Sequence, residues 1–310
     1  MLTELTPEEY ARLGIVPLHC YNSVEFTELN SDKTDSVHFL VWFNGDKPSA
    51  SLILGEDVRS LRSPFSAPFG GVNIDRVPDD ALVEMIMDDL RAYASAKGKE
   101  VVLTMPPDIY SRSVAPFIIR AGNTPWIKTV ADYNYHYVTA DAAEYDLLLP
   151  HKRQRRKLRK ANSAGFVFQR VMDESKKAEV YDIISRNRRD QGYYLKMTYD
   201  QVRATEKVVP IDYFIMHNVD GEPVASAICY HVTGDVVQVI YWGDLLDYRS
   251  QHPMDYFAMK LFKHYRETGV AMVDVGPSST DGVPNRGLCE FKFNVGCRLS
   301  AKYTLTVMPK

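Results

Sequence analysis

The sequence predicts an α/β chain built on mixed sheets and laid out as two tandem domains. Three observations carry this. At 310 residues the chain is long for one average domain and comfortable for two. β-rich runs alternate with segments of helical periodicity throughout. That alternation also runs twice, with a boundary expected near 140–150, so the domains are expected to span 1–145 and 146–310. No close sequence repeat accompanies the second round, and the division rests on element order alone.

In the first round, Thr6, Pro7 and Glu9 have the spacing of a capped helix start, which places a short helix over 7–14. A second short helix is expected over 20–30. Residues 37–55 read as a hairpin turning at Asn44-Gly45-Asp46-Lys47, and 59–75, rich in Pro, Gly and Ser, as a shaped loop. Over 79–99, Leu82, Val83, Ile86, Met87, Leu90 and Tyr93 recur at helical spacing and Gly98 supplies a stop. A buried strand over 100–108, a helix over 111–123 and a half-exposed strand over 132–140 complete the round.

The second round opens with one helix over 144–166 that ends before Gly165, then a strand over 166–171. Helices follow over 173–192, with Val180, Ile183 and Ile184 inward, and over 194–208. Residues 212–243 give a three-stranded meander with turns at 219–222 and 233–235. A strand-like run over 236–245, a basic turn at 247–253, a helix over 255–269, a strand over 270–276 and a short helix within 285–296 close the pattern.

Composition excludes several classes. The chain is 45% hydrophobic and 25% charged, as ordinary globular proteins are, and its net charge of −3 gives no global attraction to nucleic acid or membrane. The acidic start, MLTELTPEEYARLG, does not look like a secretory signal, and no apolar run approaches a membrane span. Cys20, Cys229, Cys289 and Cys297 are scattered without metal-ligand spacing. They read as reduced thiols of a cytoplasmic protein that holds no metal.

The densest charge is HKRQRRKLRK at 151–160, with seven Lys or Arg. On a helix, Gln154, Leu158 and Ala161 make the inward stripe, and Lys152, Arg153, Arg155, Arg156 and Arg159 fan out. Like charges three and four apart repel, so an anionic partner would relieve them. A phosphate or RNA backbone is one reading, and a solvated helix face is the other.

Strand, basic turn, helix, strand and a short helix bearing Phe291-Lys292 within NRGLCEFKFNVG (285–296) form an acyl-transfer layout. This run resembles the second half of a GNAT domain, more closely the FemABX-like branch, which has two GNAT-like domains in tandem. The resemblance implies that the turn Arg249-Ser250-Gln251-His252, together with Tyr241, Asn285 and Phe291, meets the acyl donor. Here His252 and Met254 replace the small residues of the GNAT turn, and Pro253 brings no N–H. It implies that Lys292 supplies positive charge at the reacting carbonyl. By position alone, Asp274 and Asp244 at strand ends and Glu290 beside Phe291 are candidate bases, and each reads equally as a capping or turn acid. The resemblance implies acetyl-CoA or another acyl-CoA as donor, or aminoacyl-tRNA, and a small-molecule or peptide amine as acceptor. The loop SPFSAPFGG (63–71) also resembles a first-domain loop of that branch. A non-catalytic GNAT-fold binding module, with the basic helix holding an anion, is the alternative.

Overall fold

The structure is a computed structural model and describes residues 1–310. The chain divides into two compact units, one formed by 1–133, 279–283 and 300–310, the other by 134–278 and 284–299. Relative to the expected 1–145 and 146–310, residues 134–145 lie with the second unit and 300–310 with the first.

The first unit begins with a strand the sequence reading left out, β1 (Leu2–Leu5), then α1 (Pro7–Arg12) and α2 (Val24–Leu29). At α1 the capping box forms: the Glu9 amide donates to Thr6 Oγ1 and the Thr6 amide to Glu9. Strands β2 (Ser36–Asn44) and β3 (Lys47–Glu56) pair as the expected hairpin, with Asn44 opposite Lys47 and Gly45 at φ 59° in the turn. The 59–75 stretch is not all loop, because β4 (Ser60–Ser63) pairs parallel with β5 (Glu100–Thr104). Between them α3 (Asp80–Lys97) starts at the Asp79 cap and stops at left-handed Gly98. Helix α4 (Val114–Gly122) follows, and β6 (Ile127–Val138) begins earlier than expected. Strand order in this unit is β1-β2-β3-β4-β5, and residues 304–307 of the last strand pair antiparallel with 101–104. Leu40, Trp42, Leu52 and Leu54 on the sheet pack with Leu82, Ile86 and Leu90 of α3 and Phe117 of α4.

In the second unit the expected 144–166 helix is two, α5 (Tyr145–Leu148) and α6 (Lys152–Ser163), broken at Leu149-Pro150 because a proline restricts the residue before it. β7 (Val167–Arg170) and α7 (Glu174–Asp190) follow as read, but only Tyr199–Thr205 of the expected 194–208 helix is helical, as α8. The meander is β8 (Ile211–His217), β9 (Pro223–His231) and β10 (Val236–Asp244). Then come α9 (Pro253–Glu267), β11 (Met272–Pro277), a short ribbon of β12 (Ser279–Thr280) and β13 (Val283–Pro284), α10 (Arg286–Asn294) and β14 (Arg298–Val307).

Strand order in the second unit is β6-β11-β10-β9-β8-β7, all antiparallel except β10 with β11. Ala225, Ala227 and Cys229 of β9 pack with Phe257, Leu261 and Tyr265 of α9. Ser226 points to the opposite face, where its hydroxyl donates to Val180 O on α7 at 2.8 Å. Each face of the sheet thus carries a helix. No helix is long and apolar enough to cross a membrane.

Candidate active site in the second unit

The site begins with a failure of pairing. The parallel ladder of β10 and β11 covers only Val236–Gln238 against Met272–Asp274, although β10 runs on to Asp244 and β11 to Pro277. Each strand leaves through a bulge, β10 between Val239 and Tyr241 towards β9, and β11 between Asp274 and Gly276 towards β6. The result is a wedge between the carboxyl ends of two parallel strands, the place where open α/β sheets bind ligands.

Asp274 fixes one lip. It is fully buried, and its carboxylate accepts from Asn134 Nδ2 at 2.9 Å, Gln238 Nε2 at 2.8 Å and the Gly276 amide at 2.9 Å. Those bonds hold the end of the β10–β11 ladder and the β11 bulge. A buried carboxylate with these three donors stabilises the strand geometry at this lip.

Helix α10 bridges the wedge. One residue along a helix turns by about 100°, so Phe291 and Lys292 reach different lips. The Phe291 ring meets Trp242 of β10 edge-on, centroids 5.6 Å apart. Lys292, 4% exposed, donates from Nζ to Gly276 O at 2.8 Å and Pro277 O at 2.9 Å on β11, with Nζ 5.8 Å from the Tyr135 ring centroid. A fixed cation therefore sits at the open end of β11. Asn285 is the N-cap of α10: its Oδ1 accepts from the Leu288 amide. Glu290 is exposed on the outer face of the helix. Cys297 is no nucleophile, since burial pushes its thiol up to about 12.

The basic helix and the basic turn, 90 residues apart in sequence, meet beside the wedge. Lys160 Nζ donates to Ser250 O at 2.8 Å, and Gln154 Nε2 donates to Asp255 in the first turn of α9. Arg249 Nε lies 3.4 Å from Asp244 Oδ1 at the end of β10; burial pushes the Asp244 carboxyl up, against the pull of Arg249. His252 holds a left-handed conformation at φ 58° and caps α9, with Gln251 half-buried before it. Burial lowers the His252 pKa; Asp255 opposes this, and Lys157, Lys160 and Arg153 lower it further. Tyr241 faces the α7–α8 side, half-buried, and burial raises its phenol pKa against a hydrogen bond from the Met197 backbone.

The phase of α6 decides which cations belong here. With Gln154, Leu158 and Ala161 buried, Arg153, Lys157 and Lys160 form the flank towards the turn, while Arg155 and Arg159 form the other and Lys152 and Arg156 point outward. The five residues singled out from the sequence are thus divided, and Lys157 and Lys160 were missed. The inward stripe contained the signal that would have assigned them. Trp242 and Arg188, whose guanidinium reaches Trp242 O at 3.4 Å, also went unassigned.

These elements, two sheet-and-helix units with a splayed parallel pair in the second, have the fold of tandem GNAT proteins. Comparison with solved structures shows the same fold. FemX superposes with a TM-score of 0.67 at 10% identity, covering 99% of this chain and 97% of its own. The C-terminal domain of an Agrobacterium fabrum protein assigned as a lysylphosphatidylglycerol synthetase gives 0.58 at 12% identity, covering 97% and 90%. A tandem GNAT protein from the clavulanic acid biosynthesis pathway gives 0.51 at 10% identity, covering 100% and 99%. No family model and no curated sequence matches the chain.

Proposed function

We propose that the second unit transfers an aminoacyl group from aminoacyl-tRNA to an amine by direct attack. The observation that carries this is the meeting of the α6 flank Arg153–Lys157–Lys160 with the Arg249–His252 turn beside the β10–β11 wedge. A cationic strip of that length suits a nucleic-acid backbone, whereas one pyrophosphate needs only a few convergent amides. Those amides are largely committed here: Pro253 has none, His252 N donates to Arg249 O and Asp255 N to His252 O. An acyl-CoA pyrophosphate finds little to hold it. The neighbouring fold names point the same way, since FemX and an enzyme named for an aminoacylated lipid share this architecture.

In the reaction, the acceptor nitrogen forms a bond to the ester carbonyl carbon, the bond to the ribose oxygen breaks, and the proton lost by nitrogen ends on that leaving oxygen. Negative charge develops on the carbonyl oxygen in between. Lys292, clamped to the end of β11, supplies positive potential at that point, and Phe291 with Trp242 forms an apolar wall. Asp274 positions the lip, and no enzyme nucleophile is needed. The acceptor class is a small molecule or peptide bearing a free amine.

The test is binding and transfer with charged tRNA and with acetyl-CoA in parallel. Salt-sensitive binding of charged tRNA, with loss of its amino acid to an added amine, is the expected result. Saturable micromolar binding of CoA without tRNA binding would reassign the donor to an acyl-CoA. Binding of tRNA with no transfer to any amine would leave a binding module.

A further inference from the structure

One face of the second unit takes no part in the chemistry proposed above. Helix α5 exposes Leu147 and Leu148, 69% and 52% accessible, and α10 exposes Phe293 at 50%. The His151 ring centroid, at the start of α6, lies 6.2 Å from that of Phe293. Arg155 reaches back to the Leu147 and Leu149 carbonyls, 3.4 Å from each. The base beneath is rigid: Tyr145, 3% exposed, donates its hydroxyl to Val295 O at 3.0 Å and ties α5 to the end of α10. Scattered exposed leucines are ordinary, but two leucines and a phenylalanine beside a dense row of cations form a patch.

The cations of this face are those that α6 turns away from the donor side, namely Arg155 and Arg159 with the outward Lys152 and Arg156. They belong to the run of seven in a chain whose net charge is only −3, so the positive field is local. An RNA backbone would use the arginines and leave the leucines idle, because bases stack on planar rings and not on aliphatic branches. Aliphatic side chains flanked by arginines match a bilayer interface, where acyl chains lie just beneath anionic head groups.

We propose that this face docks the protein on an anionic lipid surface. Leu147, Leu148 and Phe293 enter the boundary of the acyl region, and Lys152, Arg155, Arg156 and Arg159 contact the head groups. The docking is separate from the transfer reaction and does not depend on it.

Co-sedimentation of the full chain with vesicles tests this, using phosphatidylcholine alone and phosphatidylcholine mixed with phosphatidylglycerol. Binding is expected only to the mixed vesicles. Two triple variants dissect it: Leu147→Ser/Leu148→Ser/Phe293→Ser keeps every charge, and Arg155→Gln/Arg156→Gln/Arg159→Gln keeps every apolar side chain. Each should raise the lipid concentration for half-binding by about tenfold or more. Thermal melts close to wild type would show that both variants fold. Should either fail to fold, the single variants Leu148→Ser and Arg156→Gln are read in the same way. Absence of wild-type binding to the mixed vesicles would overturn the proposal. Retention of full binding by the apolar triple variant would overturn it too, and loss of tRNA binding in the arginine triple variant alongside that result would make the face an RNA surface.

Discussion

Lys292 serves the fold and, in the proposed reaction, the chemistry, and the two uses can be measured separately. Removing its ammonium leaves the Gly276 and Pro277 carbonyls without that donor in a buried place, so Lys292→Met should cost about 1–3 kcal/mol of stability. If the charge also serves the reaction, turnover per folded molecule should fall by about a hundredfold or more, and Lys292→Arg should restore part of it. A variant that is less stable yet turns over normally would reduce Lys292 to a strand clamp. A second residue-scale prediction concerns acid. His19 is 3% exposed among Phe69, Tyr21 and Tyr110, and burial pushes its imidazole down to about 4 from an ordinary 6.5. Below pH 6.5 the unfolded chain takes up a proton that the folded chain refuses. Stability is therefore whole above 6.5 and drains as pH falls towards 4, by about 3 kcal/mol at the limit. Denaturant midpoints across that window should fall, and His19→Gln should flatten the slope. An unchanged slope in the variant would move the acid sensitivity elsewhere.

Among the elements, α6 and the turn after β10 act as one cationic surface. Replacing Arg153, Lys157 and Lys160 with Gln should reduce the log–log salt slope of tRNA binding by about 1 per charge removed. His252 adds a pH term. Its pKa is lowered by burial and then by the three cations, and a bound phosphate would raise it again. Binding therefore takes up a proton, and affinity should rise as pH falls from 8 towards 6. A flat profile would place the anion away from His252. Element by element, the sequence was most readable where signals are local. The 44–47 turn, the Gly98 stop of α3 and the buried phase of α7 each depend on residues within a few positions. Strands β1, β4 and β14 went unread because four-residue runs and late partners exist only through distant pairing. The expected 194–208 helix starts late because Thr198 is its N-cap and closes a capping box with Gln201. In the site, the Phe-Lys pair and the basic run were visible; the division of that run between two flanks, and the use of Asp274 and Asn285 as structural acceptors, needed the folded contacts.

Across the whole molecule, the covalent path ties the units together more tightly than a linker would. The chain passes between them at 133/134, 278/279, 283/284 and 299/300, so no single cut yields two complete halves. Truncation after residue 299 should leave the second unit cooperative and strip the first of its last strand, exposing the β5 edge. Hydrogen exchange should then show fast exchange confined to the first unit, while equal protection in both would argue that β14 is dispensable. The same connectivity sets an order of assembly during synthesis. Thr104 and Thr304, their hydroxyls 3.3 Å apart across β5 and β14, are 200 residues apart in the chain. At about 5–20 residues per second, a ribosome needs roughly 10–40 s to make that interval. Throughout it, the part of the protein that is born first carries an open strand edge and waits for the part that is born last.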